Sequence, residues 1–364
     1  MRFLLCCAAI SLAFGNARAT AVSALGALGG GAEVAVLKPL LAVGDPERSA
    51  AKRALVVLRG DGAVEAMIEL ARSGEPAVRP LAIEILAERR ARAALPALVA
   101  AFADADAGVR RAALRAVGRL GGPEQAPALV QGLLAAAADA ERDEAEKSLV
   151  AVCTDNPGKE RSAEAFLALF EAAGEADRKP LLAPLGRIGG PAALAIVDRL
   201  IADPAKRDLG LEALTRWPDA TIADRLLGLF GKAQDEAERG MLLDALIRIA
   251  PLRDNKLNDK QKMELIAKIM PLCEQDADRG RLIERTSAVR TIEAFRFVLP
   301  YVDKPALAES ACKSVVELAH DRGLRDANKD EFMKALDMVI ATTKNQELVE
   351  RANRYKEGKT WERK

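Results

Sequence analysis

The chain has 364 residues, and its 54 Lys and Arg against 53 Asp and Glu leave a formal net charge of only +1. A chain so close to neutrality lacks the basic excess of proteins that bind nucleic acid through phosphate contacts. Half of the residues are hydrophobic but only 4% are aromatic, so the core must be built from small aliphatic side chains, which suit closely packed helices.

The first residues have the pattern of an export signal. Met1-Arg2 precedes an apolar run from Phe3 to Phe14, and Ala17-Arg18-Ala19 is a small-x-small pattern that a signal peptidase could cut before Thr20. The alternative is a short membrane anchor, but the run is shorter than the roughly 20 residues that a spanning helix needs. We therefore expect residues 1–19 to be a signal peptide and the protein to be periplasmic or extracellular.

Glycines and helix pairs follow. Gly26 and Gly29-Gly30-Gly31 predict a flexible lead-in over residues 20–32. Apolar residues then recur every three or four positions, which predicts a helical array over 33–357, regular to 251 and less regular over 258–357, before a polar tail at 358–364. The expected pairs of an A helix and a B helix are 33–43 with 46–59, 63–73 with 76–90, 93–103 with 107–120, 124–138 with 140–154, 161–173 with 175–188, 191–202 with 204–216, 220–233 with 236–250, 260–274 with 276–288, 291–302 with 305–321, and 329–343 with 346–357.

An arginine recurs near the start of eight B helices, at spacings of 31, 31, 32, 36, 29, 32 and 40 residues. Seven residues after each arginine stands an aliphatic residue, except that the last is Thr286, so the B helices are expected to be buried along one face. This arginine ladder consists of Arg48, Arg79, Arg110, Arg142, Arg178, Arg207, Arg239 and Arg279, and the residues that follow it are Leu55, Leu86, Val117, Leu149, Leu185, Leu214, Leu246 and Thr286.

Near copies of one junction support an internal repeat. "GRLGGPEQAPAL" begins at Gly118 and "GRIGGPAALAIV" begins 68 residues later at Gly186. In each, the double glycine is expected to permit positive φ after a helix, and the proline presets the first turn of the next one. The chain is thus predicted to be a repeat protein.

The repeated segments "PAVRPLAIEIL" (76–86) and "AGVRRAALRAVGRLGG" (107–122) resemble HEAT repeats, in particular the short bacterial kind of about 30 residues per unit. The resemblance implies an all-α fold, an α-solenoid of about ten stacked antiparallel helix pairs, with the B helices on the concave face. It also implies a structural ladder, in which each arginine contacts an acid or a carbonyl at an A-to-B turn. The alternative is a basic row that binds a polyanion. Glu309 replaces the arginine in the ninth unit, which departs from the pattern.

A stripe of arginines on one B helix is the candidate partner-binding site. Arg111, Arg115 and Arg119 follow at i, i+4 and i+8, and helix 107–120 contains no acid. Residues 45–119 hold 13 basic and 10 acidic residues, a balance of +3, whereas residues 123–177 hold 4 basic and 12 acidic residues, a balance of −8. The stripe would suit an acidic segment. Its alternative is a solvated face with salt links to Glu84 or Glu88.

Residues for catalysis or for cofactors are scarce. The single histidine, His320, excludes sites that need two imidazoles and is expected at a helix end. Cys153, Cys273 and Cys312 include no CxxC pair. Cys312 is expected in the core, and a Cys273–Cys312 disulfide stays open. No phosphate-loop glycine motif occurs, so neither a metal, nor a cofactor, nor a catalytic residue is predicted.

The C-terminal helix, 346–357, is strongly polar and is expected to cap the array with Val349, Ala352 and Tyr355 facing inward. Trp361 would either fold back over the last pair or stay exposed.

The combined prediction is a non-enzymatic, exported, monomeric scaffold that binds a protein or peptide, with an acidic segment, along its concave B-helix face. The alternative is an enzyme or an accessory factor, similar to the HEAT-like lyases, that uses surface carboxylates and arginines.

Overall fold

The computed structural model describes residues 16–155, 159–233, 235–253 and 256–361, and it describes side chains from Thr20 onward except at 159–162. The chain is all-α, with no β-strand among these residues, which confirms the predicted helical solenoid. Of the predicted signal peptide, residues 1–15 lie outside the described residues. No helix in the described part of the chain is long and apolar enough to cross a bilayer.

The chain divides into two compact units, Met1–Gly210 and Leu211–Lys364. The first unit stacks the B helices and A helices of successive pairs, and several A helices begin or end with a 3₁₀ turn. Its helices are α1 (Asn16–Leu28), α2 (Gly31–Leu41), α3 (Glu47–Val57), α4 (Ala63–Ser73), α5 (Arg79–Glu88), α6 (Leu95–Ala100), α7 (Ala107–Leu120), α8 (Ala126–Ala135), α9 (Asp139–Thr154), α10 (Lys159–Ala172), α11 (Glu175–Arg178), α12 (Leu182–Ile188) and α13 (Gly190–Ala202).

The division between the units falls within α14 (Arg207–Thr215). The second unit repeats the pattern of helix pairs and adds one short helix, α21, that the sequence did not predict. Its helices are α15 (Ala223–Phe230), α16 (Glu236–Ile249), α17 (Asp259–Ile269), α18 (Asp276–Thr286), α19 (Ile292–Val298), α20 (Ala308–Ala319), α21 (Arg322–Ala327), α22 (Lys329–Thr342) and α23 (Gln346–Lys356).

The predicted aliphatic positions form the core of both units. All eight residues that follow the arginine ladder by seven positions have no exposed surface. Thr286, which breaks the aliphatic series, is buried as well, and its hydroxyl donates to the Leu282 carbonyl at 2.8 Å. A buried hydroxyl with a partner avoids most of the cost of losing water, so the substitution leaves the repeat intact.

The predicted flexible lead-in over residues 20–32 is wrong. Residues 16–28 form α1, which packs against α3, with Val22 buried. The glycines serve close approach and not flexibility: a Cβ added to Gly26 would lie 2.6 Å from the Ala54 Cα, and one added to Gly60 would lie 2.3 Å from the Gly30 Cα. Because this packing joins residues about 30 positions apart, local composition did not predict it.

The two near-identical glycine junctions differ in backbone conformation. Gly189 and Gly190 have φ of +63° and +89°, as expected for glycines that end a helix. Gly121 and Gly122 have φ of −77° and −136°, so positive φ was wrongly predicted there. At Gly121 an added Cβ would lie 2.7 Å from the Val117 carbonyl. Close approach therefore explains glycine at the first junction.

The last helix pair is a cap with a different inward face from the one predicted. Leu348, Arg351, Ala352 and Tyr355 are buried, whereas Val349 is only half-buried. The Arg351 guanidinium reaches the Glu317 carboxylate at 2.7 Å. Arg351 and Tyr355 thus end the apolar stack with polar groups. The Arg351 guanidinium donates to the Tyr355 hydroxyl and pairs with the partly exposed Glu317 carboxylate.

Trp361, in the polar tail, is half-buried, and the Arg354 guanidinium lies 6.0 Å from its ring centroid. Arg354 also donates to the Thr360 carbonyl at 2.9 Å. The tail therefore turns back onto α23 as far as the structure describes it.

Candidate functional site

The ladder arginines begin the B helices and contact the turns beside them. Arg110 donates to the Asp104 carbonyl at 2.9 Å, and Arg178 donates to the Ala173 carbonyl at 2.8 Å. Similar contacts within one pair are Arg48 to the Leu41 carbonyl at 3.2 Å, Arg142 to the Asp139 carboxylate at 2.8 Å, and Arg279 to the Asp276 carboxylate at 2.8 Å. The bonds of Arg48, Arg110 and Arg178 occupy backbone carbonyls at or just after a helix end, where the helix leaves carbonyls without a partner.

Three ladder arginines also reach the next pair. Arg79 pairs with Asp104, Arg239 lies 3.5 Å from Glu274, and Arg110 contacts the two oxygens of Glu141 at 2.7 and 2.9 Å. The third pair is bidentate and poorly accessible, since the Glu141 side chain is 5% exposed. The Arg110 hydrogen bond lowers the pKa of Glu141 below its ordinary value.

Glu309 occupies the position where the ninth unit would have its ladder arginine. It accepts hydrogen bonds there, whereas an arginine would donate them. Its carboxylate accepts from the Lys344 amide at 2.9 Å and from the Thr343 hydroxyl at 2.7 Å. These bonds lower its pKa, the backbone bond most strongly. The acid therefore caps the turn before α23, whereas an arginine at this position would approach backbone donors.

The three arginines of the predicted stripe have different surroundings in the structure. Arg115 pairs with Glu144 on α9 at 2.6 Å, so the prediction of an unneutralised stripe is wrong at its centre. The alternative links to Glu84 and Glu88 are not formed by the stripe, because Lys52 pairs with both acids at 3.0 and 2.9 Å. Sequence reasoning considered acids on α7 and on the preceding B helix, and it missed the acids on the following B helix.

A groove at the C-terminal ends of α5, α7 and α9 includes part of the stripe. The groove, about 780 Å³ in volume, is lined by Arg115 and Arg119 but not by Arg111. We call it the basic groove, because five cations line it against the two carboxylates of Glu144 and Asp155. The five cations are Arg90, Arg92, Arg115, Arg119 and Lys147.

Pairing leaves three of these cations available. Arg115 is held by Glu144, and the Arg92 Nε donates to the Leu120 carbonyl at 3.1 Å. Arg90, Arg119 and Lys147 are exposed, and none has a carboxylate within 4.0 Å among the described residues. Exposed cations without an acid partner are available to attract and contact an incoming anion.

The floor of the basic groove lies where α7 and α9 cross. A Cβ added to Gly118 would lie 2.6 Å from the Ser148 Oγ and 2.8 Å from the Ser148 Cα. Glycine at this crossing thus lets the two helices approach closely. Ser148, 4% exposed, faces the groove from this floor. Arg90, Lys147 and Ser148 were missed by sequence reasoning, since each comes from a different position of its repeat.

A groove of the second unit has the opposite charge. This acidic groove, about 690 Å³ in volume, lies at the N-terminal starts of α16 and α18. Both of its arginines are paired, Arg239 with Glu274 and Arg281 with Asp244 and Asp278. The five carboxylates that line it are Asp235, Glu236, Asp244, Glu274 and Asp278.

Comparison with known proteins finds a family match for part of the chain. Residues 64–150, which hold most of the basic groove, match the family model described as HEAT repeats. A comparison with curated proteins found no match.

Several solved structures are similar to the chain at low identity. The karyopherin Kap121p, bound to the extreme C-terminus of the protein phosphatase Cdc14p, is 13% identical with a TM-score of 0.38, over 97% of this chain and 45% of that one. The CpcE–CpcF phycocyanin lyase of Nostoc sp. is 21% identical with a TM-score of 0.30, over 66% and 92%. Human deoxyhypusine hydroxylase with glycerol is 18% identical with a TM-score of 0.27, over 80% and 97%. The chain thus spans less than half of the length of the karyopherin.

The remaining candidate residues have structural roles. The His320 Nδ1 lies 2.9 Å from the Tyr355 hydroxyl, so its ring contacts that side chain as well as ending α20. Cys153, Cys273 and Cys312 are buried and free, so the Cys273–Cys312 disulfide is not formed. Burial raises the pKa of Cys153 to about 12, which keeps the thiol protonated and unreactive. No cluster of metal ligands occurs among the described residues.

Proposed function

We propose that this protein is a non-enzymatic, exported, monomeric HEAT-repeat scaffold, and that its B-helix face binds an acidic segment of a protein partner in the basic groove. One observation carries the proposal: Arg90, Arg119 and Lys147 line one groove together, and none of them has a carboxylate partner among the described residues. Cations that form no ion pair within the protein are available to attract and bind an anion.

The groove favours a peptide over a compact ligand because of its position and its lining. It runs across the ends of three successive B helices, and its walls include the apolar surfaces of Ala87, Leu120 and Ala151 beside the cations. An extended segment with alternating acidic and small apolar side chains would contact both kinds of surface. Arg111, from the predicted stripe, is exposed outside this groove and is not assigned a role in binding.

A defined acidic peptide tests the proposal. A fluorescein-labelled peptide rich in Asp and Glu should bind the mature protein, and its affinity should fall at least about a hundredfold when Arg90, Arg119 and Lys147 are all changed to Glu, since each close charge pair contributes about 1 kcal/mol or more. A matched control changes the exposed arginines Arg53, Arg59 and Arg111 to Glu, which alters the net charge equally outside the groove. Equal losses in the two variants would overturn the proposal, because net charge alone would then explain binding.

Export is the second part of the proposal. Cleavage before Thr20 would leave the buried residues of α1 that the structure describes, Val22 and Gly26, in the mature chain. Mass spectrometry of the protein purified from its native host should find an N-terminus at or near Thr20. An intact Met1 in a cytosolic fraction would contradict export.

The monomeric state is the third part. Light scattering of the mature protein should give the mass of a single chain across the concentration range used for peptide binding. A mass of two chains that falls when the basic groove is charge-reversed would instead make a second copy the occupant of the groove.

A further inference from the structure

Ser148 presents a buried hydroxyl that has no partner. The residue is 4% exposed, and its Oγ has no hydrogen bond to any described residue, although it lines the basic groove. A serine or threonine inside a helix commonly bonds to the carbonyl four residues earlier. Thr154 on the same helix does so, with its hydroxyl 2.9 Å from the Val150 carbonyl. The Ser148 hydroxyl is therefore free to bond to a molecule in the groove.

Gly118 lies directly against this hydroxyl on the groove floor. Because any Cβ at position 118 would meet the Ser148 Oγ at 2.6 Å, only glycine fits at this crossing. The residues next in sequence, Arg119 and Lys147, are two of the three cations without a carboxylate partner. The floor thus combines a polar donor with adjacent positive charge.

We propose that this floor is a subsite for a phosphoryl group carried by a side chain of the acidic partner segment. The Ser148 hydroxyl donates to one phosphoryl oxygen, and Arg119, Lys147 and Arg90 neutralise its charge. The inference rests on the proposed function. A phosphoryl group carries about −1.5 to −2 charges near neutral pH and three strong acceptor oxygens, so it satisfies three unpaired cations and a hydroxyl better than a carboxylate with a single charge.

Three matched peptides test the inference. They share one acidic sequence and differ at a single central residue, which is Ser, Glu or phosphoserine. The phosphoserine peptide should bind at least about tenfold more tightly than the Glu peptide, as expected for additional hydrogen bonds to a charged group. The gain should disappear in Ser148→Ala, which removes only the hydroxyl. Thr154→Ala, a control on the same helix whose hydroxyl already has a partner, should keep the gain.

The outcomes separate the inference from the proposed function. If the Glu and phosphoserine peptides bind equally, the phosphoryl subsite is wrong while the acidic groove stands. If phosphoserine binds more tightly in wild type and in Ser148→Ala alike, charge alone is recognised and the role of Ser148 is overturned. If none of the three peptides binds, the proposed function fails with it. Circular dichroism on each variant verifies that the helices are retained, and the Ser and Glu peptides verify that Ser148→Ala still binds through the rest of the groove.

Discussion

The basic groove of the first unit and the acidic groove of the second are built from the same kind of helix pair but from opposite helix ends. The basic groove lies at the C-terminal ends of α5, α7 and α9, and the acidic groove lies at the N-terminal starts of α16 and α18. Cations suit the partially negative end of a helix and acids suit the partially positive end. Helix polarity therefore favours Arg119 in the last turn of α7 and Asp235 and Asp278 at the starts of α16 and α18.

Pairing, and not sign, distinguishes the two grooves as binding sites. In the acidic groove both arginines are bridged by acids of the same groove. In the basic groove Arg90, Arg119 and Lys147 have no carboxylate partner among the described residues. The comparison teaches that a charged surface in a repeat protein becomes a candidate site when its charges exceed what the inter-repeat contacts use.

The largest expected effect concerns the cores of the two units. Leu86→Ala in the first unit and Leu246→Ala in the second each remove a fully buried aliphatic side chain and should each cost about 2–5 kcal/mol of unfolding free energy. Because repeats are held by nearest neighbours, hydrogen exchange should rise first in the unit that carries the change. A uniform rise over both units would show that they unfold as one.

The ladder arginines should differ between the units. Arg110→Ala leaves the buried Glu141 carboxylate without its bidentate partner and should cost about 3 kcal/mol. Arg279→Ala removes an exposed pair within one helix turn and should cost less than about 0.5 kcal/mol. Urea unfolding measures both. Equal costs would mean that the ladder acts through side-chain packing and not through ion pairing.

Lowering the pH should remove the contributions of Glu141 and Glu309 to stability in the same way. Added salt should affect the two contributions differently. Both groups have a folded pKa below the ordinary glutamate value of 4.5, so the stability each contributes is complete above that value and is lost as pH falls through the lower folded value. The difference in unfolding free energy between wild type and Glu141→Gln, or Glu309→Gln, should therefore shrink below pH 4.5.

Salt then separates the two carboxylates. Glu141 is held by a guanidinium, whereas Glu309 is held by a backbone amide and a hydroxyl. Added salt screens ion pairs more than hydrogen bonds between a carboxylate and neutral donors. The contribution of Glu141 should fall with salt more than that of Glu309; the reverse order would contradict these assignments.

A small effect on stability is expected at Arg115. Its side chain is half exposed, and its pair with Glu144 is an exposed contact on one side, so Arg115→Gln should change stability by less than about 1 kcal/mol. The same variant should weaken acidic-peptide binding less than Arg119→Gln does. A larger loss for Arg115 would mean that the ligand replaces Glu144 as its partner.

Helix periodicity made the fold predictable, because one apolar position per turn marks a buried face within each segment. The predicted pair 63–73 with 76–90, for example, is found as Ala63–Ser73 with Arg79–Glu88. The packing of α1 was not predictable in this way, since its glycines read as flexible until Gly26 is seen against Ala54. The short helix α21 was not predicted either, because its local sequence is polar and shows no apolar periodicity.

The candidate site was only partly predictable. Arg115 and Arg119 share one helix face, so their spacing revealed them. Glu144, Lys147 and Ser148 come from the next repeat, and only the register between repeats shows that they meet α7. Aligning the ends of consecutive B helices, where Arg90 and Arg119 stand, is the sequence signal that could have found the groove.

Hydrogen exchange with and without an acidic peptide tests the central claim most directly, because it reports where the peptide lies on the chain. The account predicts protection at the C-terminal ends of α5, α7 and α9, around residues 85–92, 115–122 and 144–155, and none around 235–244 or 274–281. Protection in the second unit, or binding without protection at the ends of these three helices, would contradict it.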